Sequence, residues 1–164
     1  MITTDFFDFT STFPTGIYVL TSQQKLLFKR TDWAKKLRLN PQSLAIPIQI
    51  HSNNVIWIDT PGNYENCDGL ITDNPNIVLS LQTADCIPIF LYDVVTCLRG
   101  LVHAGWRGVV GGIACNAIEL MVKHKSIVEN IEVILGPSIC KHCFEVGGEV
   151  AVKFDKNYIV AGKN

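Results

Sequence analysis

Three stretches carry residue types that do chemistry: Gln49-Ile50-His51, Thr83-Ala84-Asp85-Cys86-Ile87-Pro88 and Val102-His103-Ala104-Gly105-Trp106-Arg107-Gly108. Each begins or ends at the tip of a predicted strand, where a scaffold commonly presents reactive groups. One thiolate and two imidazoles, from Cys86, His51 and His103, make a strong donor set for a borderline-soft divalent ion. Three such ligands leave a fourth position for water or substrate. The residues lie much too far apart in the chain for a zinc finger, so only the fold can bring them together, and spacing does not decide the matter. Plainer readings stand beside this one. A strand-end histidine is commonly a hydrogen-bonded surface group. Cys86, next to the apolar run 87–91, also reads as a buried thiol. A third reading makes Cys86 a nucleophile with His103 as its base, the imidazole oriented by Asp85 or another acid.

Arg107 falls at a predicted helix start, where a cation opposes the macrodipole. An anion between the two resolves the conflict, because helix N-termini bind phosphate. Arg107 is therefore the candidate phosphate clamp. Gln49 and Asp85 are candidates to hydrogen-bond substrate or to orient a ligand imidazole. Cys140-Lys141-His142-Cys143 is a lone C-x-x-C, compatible with a redox pair or a metal half-site. A local structural role is the expectation. Cys67, Cys97 and Cys115 fall in strand or helix patterns and read as packing residues, and His124 as a helix-end residue that needs no functional reading.

The elements that must position these groups follow from hydrophobic periodicity. Tyr18–Leu20 and Leu26–Phe28 read as a hairpin, and Thr31 or Asp32 as the cap of a short helix ending before Pro41. Strands are expected at Ile46–Ile50, Val55–Ile58, Gly69–Thr72, Val78–Leu81, Ile87–Tyr92, Leu98–His103 and Ile131–Leu135. Apolar residues at spacings of three and four predict one long helix over Arg107–Lys125, weakened by Gly111 and Gly112. A second helix begins near Glu149. Strands in runs with helices between them indicate an α+β domain with mixed sheets.

The chain has 164 residues, 48 % of them hydrophobic and 18 % charged. That suits one domain with a substantial core. A net charge of −1 provides no basic surface for nucleic acid. No apolar run is long enough to cross a membrane, and the acidic start lacks the basic region of a signal peptide, so a cytoplasmic location is expected. Six cysteines in a chain of this size and compartment are expected to be free thiols, not a disulfide framework.

The order Gln-Ile-His, Cys-Asp-Gly-Leu-Ile-Thr (67–72), Thr-Ala-Asp-Cys-Ile-Pro, His-Ala-Gly-Trp-Arg-Gly, then Gly-Pro-Ser-Ile and Cys-Phe-Glu-Val-Gly (136–147) resembles the laccase-domain family. That family is also known as multicopper polyphenol oxidase, purine nucleoside phosphorylase or peptidoglycan editing factor. The resemblance covers about residues 46–154 of a single domain, 1–164. It implies an α+β sandwich of mixed sheets between helices, in α/β/β/α layers. It further implies a metal held by His51, Cys86 and His103, zinc or else copper. The implied activity is phosphorolysis of adenosine or inosine, with adenosine deamination as a second activity. The implied partners are nucleoside and phosphate, with a homodimer as the assembly. The alternatives are an amide hydrolase using Cys86 and His103, a copper-dependent polyphenol oxidase, and an inactive remnant. Thr10–Gly16 lacks the arginine of the family's usual opening segment, and the family's C-terminal portion is expected beyond Gly162. The chain therefore reads as a fragment or a shortened member.

Overall fold

The structure is a computed structural model and describes residues 6–8, 10–12, 19–22 and 29–162. Its strands are β1 (Phe6–Asp8), β2 (Leu20–Ser22), β3 (Leu44–Pro47), β4 (Val55–Trp57), β5 (Gly62–Tyr64), β6 (Gly69–Thr72), β7 (Val78–Leu79), β8 (Ile87–Asp93), β9 (Arg99–Ala104) and β10 (Ile131–Leu135). The helices are α1 (Arg30–Lys36), α2 (Trp106–Val110), α3 (Ile113–Lys123) and α4 (Gly148–Ala151). A five-stranded mixed sheet runs β10-β8-β9-β6-β4, and a three-stranded parallel sheet runs β5-β3-β7.

The two sheets face each other because β6 is apolar on both sides. Leu70 points into a cluster with Ala45, Ile58, Cys67 and Ile77, against the smaller sheet. Ile71 points the other way, into a cluster with Val102, Leu91 and the buried face of α3, which is Ile113, Ala117 and Met121. Those three recur every fourth residue, so one helical stripe covers one sheet face. The result is the expected α+β sandwich.

Several expectations change in detail. β2 pairs antiparallel with β1, whereas the expected partner strand 26–28 lies outside the described residues. In α1, Asp32 sits at the third helical position, not the cap, and accepts from the Lys29 amide. β3 ends at Pro47, so Ile48 and Ile50 are exposed and the chain turns into the His51 loop. A strand not expected from the pattern, β5, opens at Gly62.

The long helix expected over Arg107–Lys125 is two helices. Gly112 has a left-handed φ of 76°, which breaks the helix where only glycine fits without strain. The Asn53 amide donates to the Gly111 carbonyl at 2.7 Å, and Asn116 donates to the Asn53 carbonyl at 2.8 Å, fixing the break against the loop that carries His51. α2 lies on the same loop. A Cβ on Gly108 would stand 2.8 Å from the Ser52 carbonyl oxygen, a backbone atom that cannot swing aside. Gly108→Ala is therefore expected to destabilise the fold by about 1–3 kcal/mol, read as a lower midpoint of denaturant unfolding.

Candidate metal centre

Strand register explains how residues remote in sequence become neighbours. β8 and β9 pair antiparallel with Pro88 opposite His103, so Cys86, just before β8, lies beside the end of β9. β6 pairs antiparallel with β9, Gly69 opposite Val102, which sets Asp68 next to His103. β4 runs parallel to β6, Val55 opposite Gly69, which brings the loop before β4 to the same place. The starts of β4, β6 and β8 and the end of β9 thus meet at one edge of the large sheet.

There the potential ligand atoms of His51, Cys86 and His103 all lie within 4.8 Å of one another. The two imidazoles meet edge to face, at 84° with centroids 4.8 Å apart. His103 is buried, Cys86 half-buried and His51 exposed. Bonds of about 2.0–2.3 Å to zinc set ligand atoms closer than this, so the set has to contract by about an ångström. His51 is the exposed member of the set. Nitrogen, nitrogen and sulfur from three residues suit zinc or copper and leave one position open.

Asp68 organises the cluster. Its side chain is fully buried and accepts five hydrogen bonds: from the amides of Ile50 (3.2 Å), His51 (3.0 Å) and Ser52 (2.7 Å), from the Ser52 hydroxyl (2.8 Å), and at 2.8 Å from Nδ1 of His103. An Nδ1–H bond to a carboxylate fixes the tautomer that presents Nε2 as a lone-pair donor. Burial pushes the Asp68 carboxyl up, but the bonds from His103, Ser52 and Ile50 outweigh it and hold the carboxyl below its usual range. The same bonds hold His51 at a φ of 59°, a left-handed conformation that side chains rarely adopt.

The backbone of Gly105 lies against all three residues, where a side chain would crowd the cluster. A Cβ there would stand 3.1 Å from Cδ2 of His51, 3.3 Å from Sγ of Cys86 and 3.7 Å from Cε1 of His103. The Cys86 thiol is pushed up by burial first, then by the carboxylates of Asp85 and Asp68. Without a cation nearby it is therefore held protonated.

The other candidate residues lie close by in different roles. Gln49 clamps Gln82, donating to its carbonyl at 2.8 Å and accepting from its amide at 3.1 Å, and so joins the loops that carry His51 and Cys86. Asp85 is exposed, and its backbone carbonyl accepts from the Ile139 amide at 3.0 Å. The imidazole that either was expected to orient is oriented by Asp68. Arg107 is exposed and stacks on Trp106, 4.4 Å from the ring centroid. It borders a hollow of about 350 Å³ shared with Val110, Gly111 and Lys153. Because α2 has only five residues, its dipole adds little there, and the anion argument rests on the two cations.

Asp68 is the functional side chain that sequence reasoning missed. Its signal was an acid directly before the apolar strand β6, where a turn residue is the usual explanation. Among the cysteines, only Cys67 is buried, its thiol pushed up to about 11. Cys97, Cys115, Cys140 and Cys143 are exposed, so of the three cysteines read as packing residues only Cys67 is buried in the core, and all six thiols are free. His124 stacks flat on Trp57, centroids 3.7 Å apart, and is more than a helix-end cation.

The sequence profile described as multi-copper polyphenol oxidoreductase laccase matches residues 8–162, and the chain belongs to that family. The match is wider than the motif-bearing stretch. Adenosine deaminase RL5, from an unknown prokaryotic organism, is 38 % identical over 149 residues, covering 85 % of this chain and 57 % of the relative. A purine nucleoside phosphorylase of Deinococcus radiodurans is 40 % identical over 106 residues, covering 65 % of this chain and 42 % of the relative. The crystal structure of YlmD from Geobacillus stearothermophilus superposes with a TM-score of 0.72 at 30 % identity, covering 76 % of this chain and 50 % of that one. The chain spans about half the length of these relatives. Among the described residues no helix is long and apolar enough to cross a membrane.

Proposed function

We propose that the chain forms the metal centre of a nucleoside-processing enzyme, a purine nucleoside phosphorylase using zinc, acting on adenosine or inosine with phosphate. Adenosine deamination is proposed as its second activity. The observation that carries the reading is the convergence of His51, Cys86 and His103 with one imidazole locked by Asp68. Relatives named for both activities supply the substrate class.

Bound at these residues, zinc would act as a Lewis acid on a substrate oxygen, or supply hydroxide for deamination. The chain's own groups do the rest. Asp68 holds His103 in the donor tautomer and fixes the backbone that aims His51. Gly105 leaves the open side of the cluster unobstructed. Arg107, spread on Trp106 and seconded by Lys153 across the hollow, binds phosphate as a planar fork. Asp85, exposed beside Cys86, is the candidate to hydrogen-bond the nucleoside. Arg107→Ala is expected to raise the KM for phosphate about tenfold or more, the loss of a charge-assisted bidentate contact, while metal content stays unchanged.

The trio Cys86, His103 and Asp68 also has the composition of a cysteine-hydrolase triad. One observation favours the ion: His51 converges on the same point as Cys86 and His103, with no part in a triad. The test is an inosine-plus-phosphate assay coupled to elemental analysis. Hypoxanthine release that is lost on chelation and restored by zinc supports the proposal. Turnover that survives in metal-free protein, or full zinc loading without any turnover, contradicts it.

A further inference from the structure

Apart from the metal centre, the loop after β10 brings two reactive groups together. Sγ of Cys140 and Sγ of Cys143 lie within hydrogen-bonding distance, 3.1 Å apart, and both residues are exposed. One helical turn sets this geometry: the amides of Cys143 and Phe144 donate to the Cys140 carbonyl at 2.9 and 3.0 Å. The loop is tied to the domain ahead of the turn, where Gly136 donates to the Pro88 carbonyl and Ile139 to that of Asp85. The two sulfurs thus face each other on an anchored turn and need to approach by only about 1 Å to reach bonding distance.

The two thiols are not equivalent. Cys140 is lowered by the hydrogen bond from Cys143 and by the amides of His142 and Cys143, while Cys143 is raised by the same partner. One member is therefore suited to attack and the other to resolve. A metal half-site is less well supported. Among the described residues the only convergent group of three or more histidine, cysteine or acidic ligands is the one at His51, Cys86 and His103, so His142 does not complete a set here.

We propose that Cys140 and Cys143 form a thiol–disulfide exchange site whose substrate class is a disulfide, and that it operates independently of the metal centre. The Cys140 thiolate attacks one sulfur of R–S–S–R, forming a mixed disulfide and releasing RS⁻, which takes up a proton. Cys143 then gives up its proton and attacks the Cys140 sulfur, expelling the second RS⁻. The balance is one dithiol and one external disulfide giving one internal disulfide and two RSH.

The sequence makes the test direct, because Lys141 lies between the two cysteines and trypsin cuts there. The full chain is incubated with oxidised glutathione, alkylated, digested and examined by mass spectrometry. The expected product is peptide 126–141 joined by a disulfide to peptide 142–153. Cys143→Ser is expected to stop at a glutathione adduct on Cys140, formed about tenfold faster than on Cys97 or Cys115, given the thiolate dependence of exchange. The proposal is overturned if no joined peptide forms. It is equally overturned if Cys140 in Cys143→Ser takes up glutathione no faster than Cys97 and Cys115 do.

Discussion

Cys86→Ala is expected to abolish metal binding and phosphorolysis together. The thiolate is the only sulfur donor in the cluster, and its removal leaves two imidazoles, of which His51 is exposed. Two histidines alone do not retain zinc against a chelator or dilution as three ligands do. The fold should survive, because Cys86 is half-buried and sits ahead of β8, not within it. The expected readings are a metal content near background, loss of turnover by about a thousandfold or more if the bound ion supplies the usual several kcal/mol, and an unfolding midpoint close to that of the metal-free parent. Cys86→Ala protein that binds no metal yet keeps its activity would show that the chemistry runs elsewhere.

The second large effect is expected at Asp68. Asp68→Ala strips the acceptor from three amides, one hydroxyl and the His103 imidazole at once. Leaving buried donors unpaired in this way costs roughly 3–5 kcal/mol, visible as a lower denaturation midpoint. Asp68→Asn keeps the shape but loses the charge, and is expected to weaken metal affinity by about 10–100-fold, measured by competition with a chelator. The pH dependence has a definite sign. The Asp68 carboxyl lies below its usual range in the fold, so its contribution is complete above the unfolded value of about 3.9 and is lost as pH falls through the folded value. Stability should therefore drop in acid, and Asp68→Asn should flatten that drop.

Much of the scaffold was legible in the sequence where local signals agreed. β6 and β10 lie where their apolar runs are bounded by glycine or turn residues, and Cys86 and His103 stand at strand tips, as read, whereas His51 lies in the loop between β3 and β4. What was not legible depended on contacts between distant segments. The break at Gly112 is fixed by Asn53, a residue of another loop, so helical periodicity ran straight through it. The end of β3 depends on three successive amides turning toward Asp68, which no local pattern announces. Asp68 itself, an acid before a strand, acquires its meaning only when β6 lies beside β9 and the His51 loop folds over it. Gln49 sits beside His51 in the chain, as read, but its amide is committed to Gln82 by that same folding.

The central claim is that one ion is shared by His51, Cys86 and His103. X-ray absorption at the zinc edge of the zinc-loaded protein tests it most directly. The account predicts one sulfur at about 2.3 Å and two imidazole nitrogens at about 2.0–2.1 Å, with the sulfur shell lost in Cys86→Ser. A shell without sulfur, or one unchanged by that substitution, would contradict it.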